Sequence, residues 1–360
     1  MDEVLNVALV VQVSSIPAAT MTDLQTRYKA WGIVRNGSII NGIDSLIYYS
    51  TPDYHSRTAV YGDLALDIAK NYRNTLSADD KAALLAMFYD LFDFGIFVGG
   101  MYGSWGNGMS FADATFLMRD KLQETGRIAP EVLDDFKRNI GYNRIYLPYS
   151  YMCKESDLYK GRPYRNGEVG EDIDYVRITS HRLIMFNLLN SNEAEQIRDM
   201  SAISSYFSNI AFQYSPSILD GFKPDGTVNH HWGWIDQYGM DGLSWATRIV
   251  YVLSNSDFKV SQQAYRLIYD ELKAQDMRSL YNIVPATLSG KGGEIYRQYG
   301  GNFQTSIDRY ACMALAGDYN GGASPDSYMS QTFMRMVKDQ ALSTAYILSP
   351  FEQKAFVGCM

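Results

Sequence analysis

The sequence predicts an all-α protein, an array of helical hairpins. Apolar residues recur at helical spacing in segment after segment of the 360 residues, and period-two alternation is scarce. Long loops rich in glycine, asparagine and tyrosine separate the helical stretches. Short helices joined by long loops fit hairpins whose loops gather on one rim as a binding cleft.

Taken in order, 57–74 reads as a helix and 77–92, SADDKAALLAMFYDLF, as the best-defined one. Ser77 and Asp80 make a capping-box-like start there, and Leu84, Leu85, Phe88, Leu91 and Phe92 fall on one face. Segments 110–124, 130–139, 176–189, 192–213, 242–254, 259–274, 304–316 and 327–340 carry the same period, many behind an aspartate or serine able to cap. Between them lie GGMYGSWGNGMS at 99–110, LYKGRPYRNGEVGED at 158–172 and ATLSGKGGEIYRQYGGN at 286–302. No strict repeat period points to a solenoid. Nor does a linker or a composition shift mark a boundary, so residues 1–360 read as a single domain.

Composition narrows the function. A net charge of −8 and a pI near 5.1 argue against nucleic-acid binding, which needs a surplus of lysine and arginine. Three scattered cysteines, Cys153, Cys312 and Cys359, make neither a disulfide framework nor a thiolate metal cluster. No apolar run reaches the ~18 residues of a membrane helix, and VLNVALVVQV near the start lacks a basic leader. Aromatic residues make up 14%, with 28 tyrosines against 16 phenylalanines, and tyrosine joins a stacking face to a hydroxyl, as sugar sites require.

Chemistry concentrates in FKPDGTVNHHWGWIDQYG at 222–239, which holds two of the four histidines and two of the five tryptophans. Its glycines and proline oppose a continuous helix. His231 and Tyr238, seven positions apart, can flank one reacting carbon, one taking a proton and the other giving one. A metal reading of His230, His231 and Asp236 lacks HExxH or paired-cysteine spacing. A hydrolase reading would pair Asp225 with Asp241, although Asp225 in KPDGT reads more simply as a turn residue.

This stretch, followed by DGLSWATRIVYVLS, resembles the catalytic segment of the chondroitin and hyaluronan lyases, most of all the broad-specificity chondroitin ABC lyases. TSHR at 179–182 resembles the family's TGANR-type motif and LSGK at 288–291 its Leu-x-Gly-Arg motif, in the family's order, and the likeness covers roughly 60–317. The resemblance implies an incomplete (α/α) toroid and β-elimination on a uronic-acid-containing anionic polysaccharide, such as chondroitin or dermatan sulfate or hyaluronan. It places the catalytic histidine at His231, the catalytic tyrosine at Tyr238, the carboxylate-contacting residue at His181 and the cation beside the tyrosine at Lys291. His181 stands where many relatives have asparagine, and Lys291 replaces a planar fork with a point charge.

Substrate contacts fall in the same frame to Asn229 beside His181, to Arg297 beside Lys291, to Trp105, Trp232 and Trp234 as sugar-stacking plates, and to Arg162 and Arg165 in the basic run YKGRPYR. For a glucuronate Tyr238 serves as base and then acid. For an iduronate His231 or His181 takes the proton on the other face. The resemblance implies a secreted or periplasmic location; no cofactor is expected, and charge and hydropathy give no nucleic-acid or membrane partner. It also implies β-sheet domains after the toroid, one of which supplies a glutamate, so these residues alone are expected to be a fragment or a reduced relative with weak activity. A glycan-binding module without catalysis is the reading from another class.

Overall fold

The computed structural model describes residues 19–42, 54–98, 109–146, 170–216, 220–230, 233–234, 236–279, 283–285, 302–304, 307–318, 325–343 and 350–360. Helix dominates them, and the strands are short antiparallel pieces. None of the described helices is long and apolar enough to cross a membrane. The chain groups into two compact units, one of Gln12–Tyr142 with Arg182–Asn192, the other of Met1–Val11, Asn143–His181 and Glu193–Met360.

The first unit opens with α1 (Met21–Lys29), a helix the sequence reading missed. Thr20 caps it, its hydroxyl accepting from the Asp23 amide at 3.1 Å. A hairpin follows, β1 (Val34–Asn36) on β2 (Ile39–Asn41). Then come α2 (Tyr54–Asn74), α3 (Ala78–Val98), α4 (Met109–Leu117), α5 (Arg119–Glu124) and α6 (Pro130–Asn139). The expected cap of α3 is present, with the Ser77 hydroxyl accepting from the Asp80 amide at 3.2 Å. Leu84, Phe88, Leu91 and Phe92 are buried as the periodicity requires, and Leu85 is half-buried.

Helix α4 is buried along its whole length from Phe111 to Leu117, which suits its nearly uniform apolar surface. The Phe111 ring is the hub of this core: Phe92 stacks on it at 5.9 Å, Phe136 at 6.4 Å, and Tyr61 meets it at 5.9 Å. Phe186 continues the row against Phe136 at 5.0 Å. Burying one such ring stabilises the fold by about 2 kcal/mol. One buried ion pair crosses this core, Arg182 donating to both oxygens of Asp113 at 2.8 and 2.7 Å. The helix expected over 110–124 breaks at Met118, where φ −101° and ψ 13° leave the helical region.

The second unit holds α7 (Ile173–Ile178), the start of α8 (His181–Leu188), α9 (Glu193–Tyr206) with a wide π turn at Phe207–Ala211, and then three short strands, β3 (Gly221–Phe222), β4 (Val228–His230) and β5 (Gly233–Trp234). Next come α10 (Asp236–Ser254), α11 (Gln262–Arg278), the pair β6 (Ile283–Pro285) and β7 (Asn302–Gln304), α12 (Asp308–Ala316), α13 (Ser327–Ser343) and α14 (Pro350–Gly358). Helix α10 packs on α7 and α12, and α12 packs in turn on α13 and α14.

Two departures from expectation shape the site. The helix expected over 176–189 is interrupted at Thr179 and Ser180, whose hydroxyl donates back to the Val176 carbonyl at 2.7 Å, so a new helix begins at His181. Helix α10 starts at Asp236, six residues before the expected 242, which sets Tyr238 in a first helical turn instead of a loop. Glycines disfavour helix by about 1 kcal/mol each, yet Gly239 is held there by packing, because a Cβ on it would lie 2.7 Å from the Val228 Cβ.

Candidate active site

The segment expected to carry the chemistry folds as a three-stranded meander running into α10. Strand β3 pairs with β4 through Gly221 with Asn229 and Phe222 with Val228, and β4 pairs with β5 through Asn229 with Trp234 and His230 with Gly233. The KPDGT turn between β3 and β4 closes with the Lys223 amide on the Thr227 carbonyl at 2.9 Å. Asp225 accepts from the Thr227 amide at 3.0 Å and from its hydroxyl at 2.7 Å. That commitment to the turn removes it as half of a hydrolytic carboxylate pair. Gly226 sits at φ +76°, and a Cβ there would come within 2.2 Å of the Ala274 Cβ, so both conformation and contact with α11 require glycine.

Strand β4 carries the fully buried His230 into a nest of carboxylates. Its Nε2 lies 3.2 Å from Asp174 and its Nδ1 3.2 Å from Asp220. Nδ1 hydrogen-bonds Asp220 while Nε2 stands at ion-pair distance from Asp174, and two carboxylates on either side of an imidazole favour its protonated form. Burial alone would lower its pKa, but the polar contacts with Asp174 and Asp220 and the charges of Asp174 and Asp172 prevail and raise it to about 9. Burial likewise works against ionised Asp174, yet His230 and Arg177 hold its carboxyl down to about 2. Asp172, the N-cap of α7, accepts from the Asp174 amide at 2.7 Å, and its carboxyl is raised by burial and by Asp220.

Among the described residues Asp172, Asp174 and His230 could hold a metal ion, with one ligand atom each within 4.8 Å of one another. A cation there would need the His230 nitrogen that faces Asp174 to be free of its proton.

Tyr238 meets this nest from the first turn of α10. The His230 ring is 4.9 Å away, edge-on at 79°, and the Arg177 guanidinium lies over the phenol ring at 4.2 Å from its centroid. Arg177 is held in turn by Asp174, at 2.7 Å from Nε, and faces Asp241 at 3.8 Å. Two turns further along α10, Trp245 stacks on His181, their centroids 3.6 Å apart and their planes within 8°. The Arg248 guanidinium lies 4.6 Å from the Trp245 ring and pairs with Asp308. Seven residues bring Tyr238 and Trp245 to one face of the helix, about 10 Å apart along its axis.

The structure thus brings Tyr238, Asn229 and His181 into one unit around α7, β4 and α10. Asn229 is half-buried in the central strand, and His181 is buried. Trp234 is placed by its backbone in β5. His231, Trp232, Trp105, Lys291, Arg297, Arg162 and Arg165 lie outside the described residues, and with them most of the loops at 99–110, 158–172 and 286–302.

Sequence reasoning did not find Arg177, Asp174, Asp220 or Trp245. The signal for the first two was EDIDYVR, an N-cap aspartate with a second acid in the first turn and an arginine three residues on. Asp220 is ten residues from His230 and Asp174 is 56 away, and nothing local announces such a pairing.

The comparisons extend this geometry. A chondroitin sulfate ABC exolyase of Bacteroides thetaiotaomicron is 27% identical over 296 residues, covering 79% of this chain and 26% of that enzyme. A Paenibacillus xanthan lyase structure superposes over 99% of this chain and 33% of its own, with a TM-score of 0.61 at 14% identity. A chondroitin AC lyase from Streptomyces coelicolor A3, solved as a point mutant, superposes over 99% of this chain and 48% of its own, with a TM-score of 0.63 at 13% identity. These two likenesses show the fold, the helical toroid class of the polysaccharide lyases. The chain spans about a quarter of the curated relative and under half of either solved one. Residues 51–343 match the family model described as Lyase, catalytic, and the chain belongs to that family of polysaccharide lyase catalytic domains.

Proposed function

We propose that this chain is the catalytic helical domain of a lyase that cleaves a uronic-acid-containing polysaccharide, of the chondroitin or dermatan sulfate or hyaluronan type, by β-elimination. The observation that carries the reading is the setting of Tyr238: a phenol in the first turn of α10, between Arg177 and His230, with His181 stacked on Trp245 two turns along the same helix. The relative's name supplies the substrate class, chondroitin sulfate.

In this reading the C5 proton of the uronate leaves while negative charge gathers on its carboxyl group. His181 and Asn229 face that carboxylate, because fixed donors stabilise developing charge best in a water-poor site. Tyr238 takes the proton of a glucuronate and returns one to the leaving O4 on the same face. His231 or His181 takes it for an iduronate, with Tyr238 protonating the leaving group. Trp105, Trp232 and Trp234 stack on sugars, while Lys291, Arg297, Arg162 and Arg165 meet carboxylate and sulfate groups. No cofactor is assigned. β-Sheet domains of a longer protein complete the site, and a polymeric extracellular substrate accords with a secreted or periplasmic location.

Incubation with chondroitin sulfate, dermatan sulfate and hyaluronan tests the reading. An eliminase produces an unsaturated uronide that absorbs in the near ultraviolet, one double bond per cut. New reducing ends without that absorbance would show hydrolysis instead, and binding with neither product would leave a glycan-binding module.

A further inference from the structure

A tyrosine that acts as a base needs a nearby cation, since an unperturbed phenol, with a pKa of about 10, is seldom ionised at neutral pH. Sequence reasoning gave that task to Lys291. Another cation stands against the ring. We propose that Arg177 is a positioning residue of the elimination site, which fixes the plane of the Tyr238 ring and stabilises the phenolate form in which Tyr238 accepts the C5 proton. This inference rests on the acid–base role proposed for Tyr238.

Three observations carry it. The guanidinium lies 4.2 Å from the ring centroid, within the range of a cation–π contact. It is not a loose surface side chain: Asp174 binds its Nε at 2.7 Å from one turn earlier on α7, and Asp241 stands 3.8 Å from Nη1 on α10 itself. Asp174 is fixed in its turn by the buried His230 at 3.2 Å, and the edge of that imidazole meets the same tyrosine ring at 4.9 Å. The carboxylates therefore engage the nitrogens of Arg177, while its guanidinium is the charge set over the phenol. Because Coulomb energy falls with distance, a charge held 4.2 Å from the ring centroid acts strongly on the phenolate. A lysine at 177 would keep a charge but lose the planar fork that both stacks on the ring and meets Asp174.

The test compares Arg177→Gln, Arg177→Lys and Tyr238→Phe, and places Arg177→Gln in the Tyr238→Phe background, with kcat and KM on chondroitin sulfate measured separately in the full chain. Thermal melts establish which variants fold. The expected result is a kcat about 10²-fold lower in Arg177→Gln and about tenfold lower in Arg177→Lys, with KM within about threefold in both. In the Tyr238→Phe background the arginine substitution should cost nothing further, because residues that act as one unit are not additive.

Two results would overturn the inference while sparing the tyrosine assignment. One is a folded Arg177→Lys or Arg177→Gln with wild-type kcat beside an inactive Tyr238→Phe. The other is a further tenfold loss from Arg177→Gln in the Tyr238→Phe background. An active Tyr238→Phe would overturn the tyrosine assignment itself.

Discussion

Raising the pH through the titration of His230 should loosen the second unit, and by an amount that its geometry sets. The imidazole has no exposed surface and bridges Asp174 and Asp220, which raise its pKa from 6.5 to about 9. Because the folded value is the higher one, the protonated form contributes stability that is fully present below pH 6.5 and is lost as pH rises through about 9. The difference corresponds to about 3 kcal/mol, or a fall in Tm on the order of 5–10 °C for a unit of this size. Asp174 works in the opposite sense: its carboxyl, held down to about 2, contributes stability above its ordinary value that disappears as pH falls through about 2. The assay is a thermal melt from pH 5 to 10 of the wild type beside His230→Gln. The variant should be less stable by about 3 kcal/mol at pH 6 and should converge on the wild type near pH 10. A wild-type Tm that stays flat from pH 6.5 to 10, or a variant curve that falls in parallel with it, would refute the charged bridge.

Tyr238→Phe keeps the ring over which Arg177 lies and deletes the hydroxyl, so kcat should fall by more than tenfold, a loss above about 1.4 kcal/mol, with substrate affinity nearly unchanged; steady-state kinetics and direct binding check this. Gly239→Ala forces a Cβ to within 2.7 Å of Val228 and should destabilise by about 1–3 kcal/mol in urea unfolding. Arg182→Met in the first unit strands the buried Asp113 carboxylate and should cost about 3–5 kcal/mol, and adding Asp113→Leu should restore much of it.

Most helices were legible because apolar period and caps are local: Ser77 caps α3 as its spacing indicates, and Phe88 and Phe92 point into the core. The missed beginning of α10 shows the limit of that logic. Two glycines in DQYGMDG argue against helix, and only contacts made elsewhere, Val228 against Gly239 among them, favour it. The breaks at Met118 and Thr179 are similar, since nothing in either segment forbids a continuous helix. In the candidate site, Tyr238 and His181 could be singled out because family-like motifs surround them. Arg177 and Asp174 were not, because a cation over a ring and a carboxylate beside a distant imidazole leave no local pattern. His230 was noticed and then set aside as a poor metal ligand, although its residue type already suited a buried cation.

The length of the KPDGT turn has a meaning beyond closure. In a strand, neighbouring side chains face opposite ways, so one residue inserted into that turn would slide Asn229 into the position of His230. An amide cannot supply a positive charge, and Asp174 and Asp220 would then confront each other across a neutral group. Charge thereby opposes that slip: with Asn229 in the place of His230 the carboxylates lose the imidazole between them.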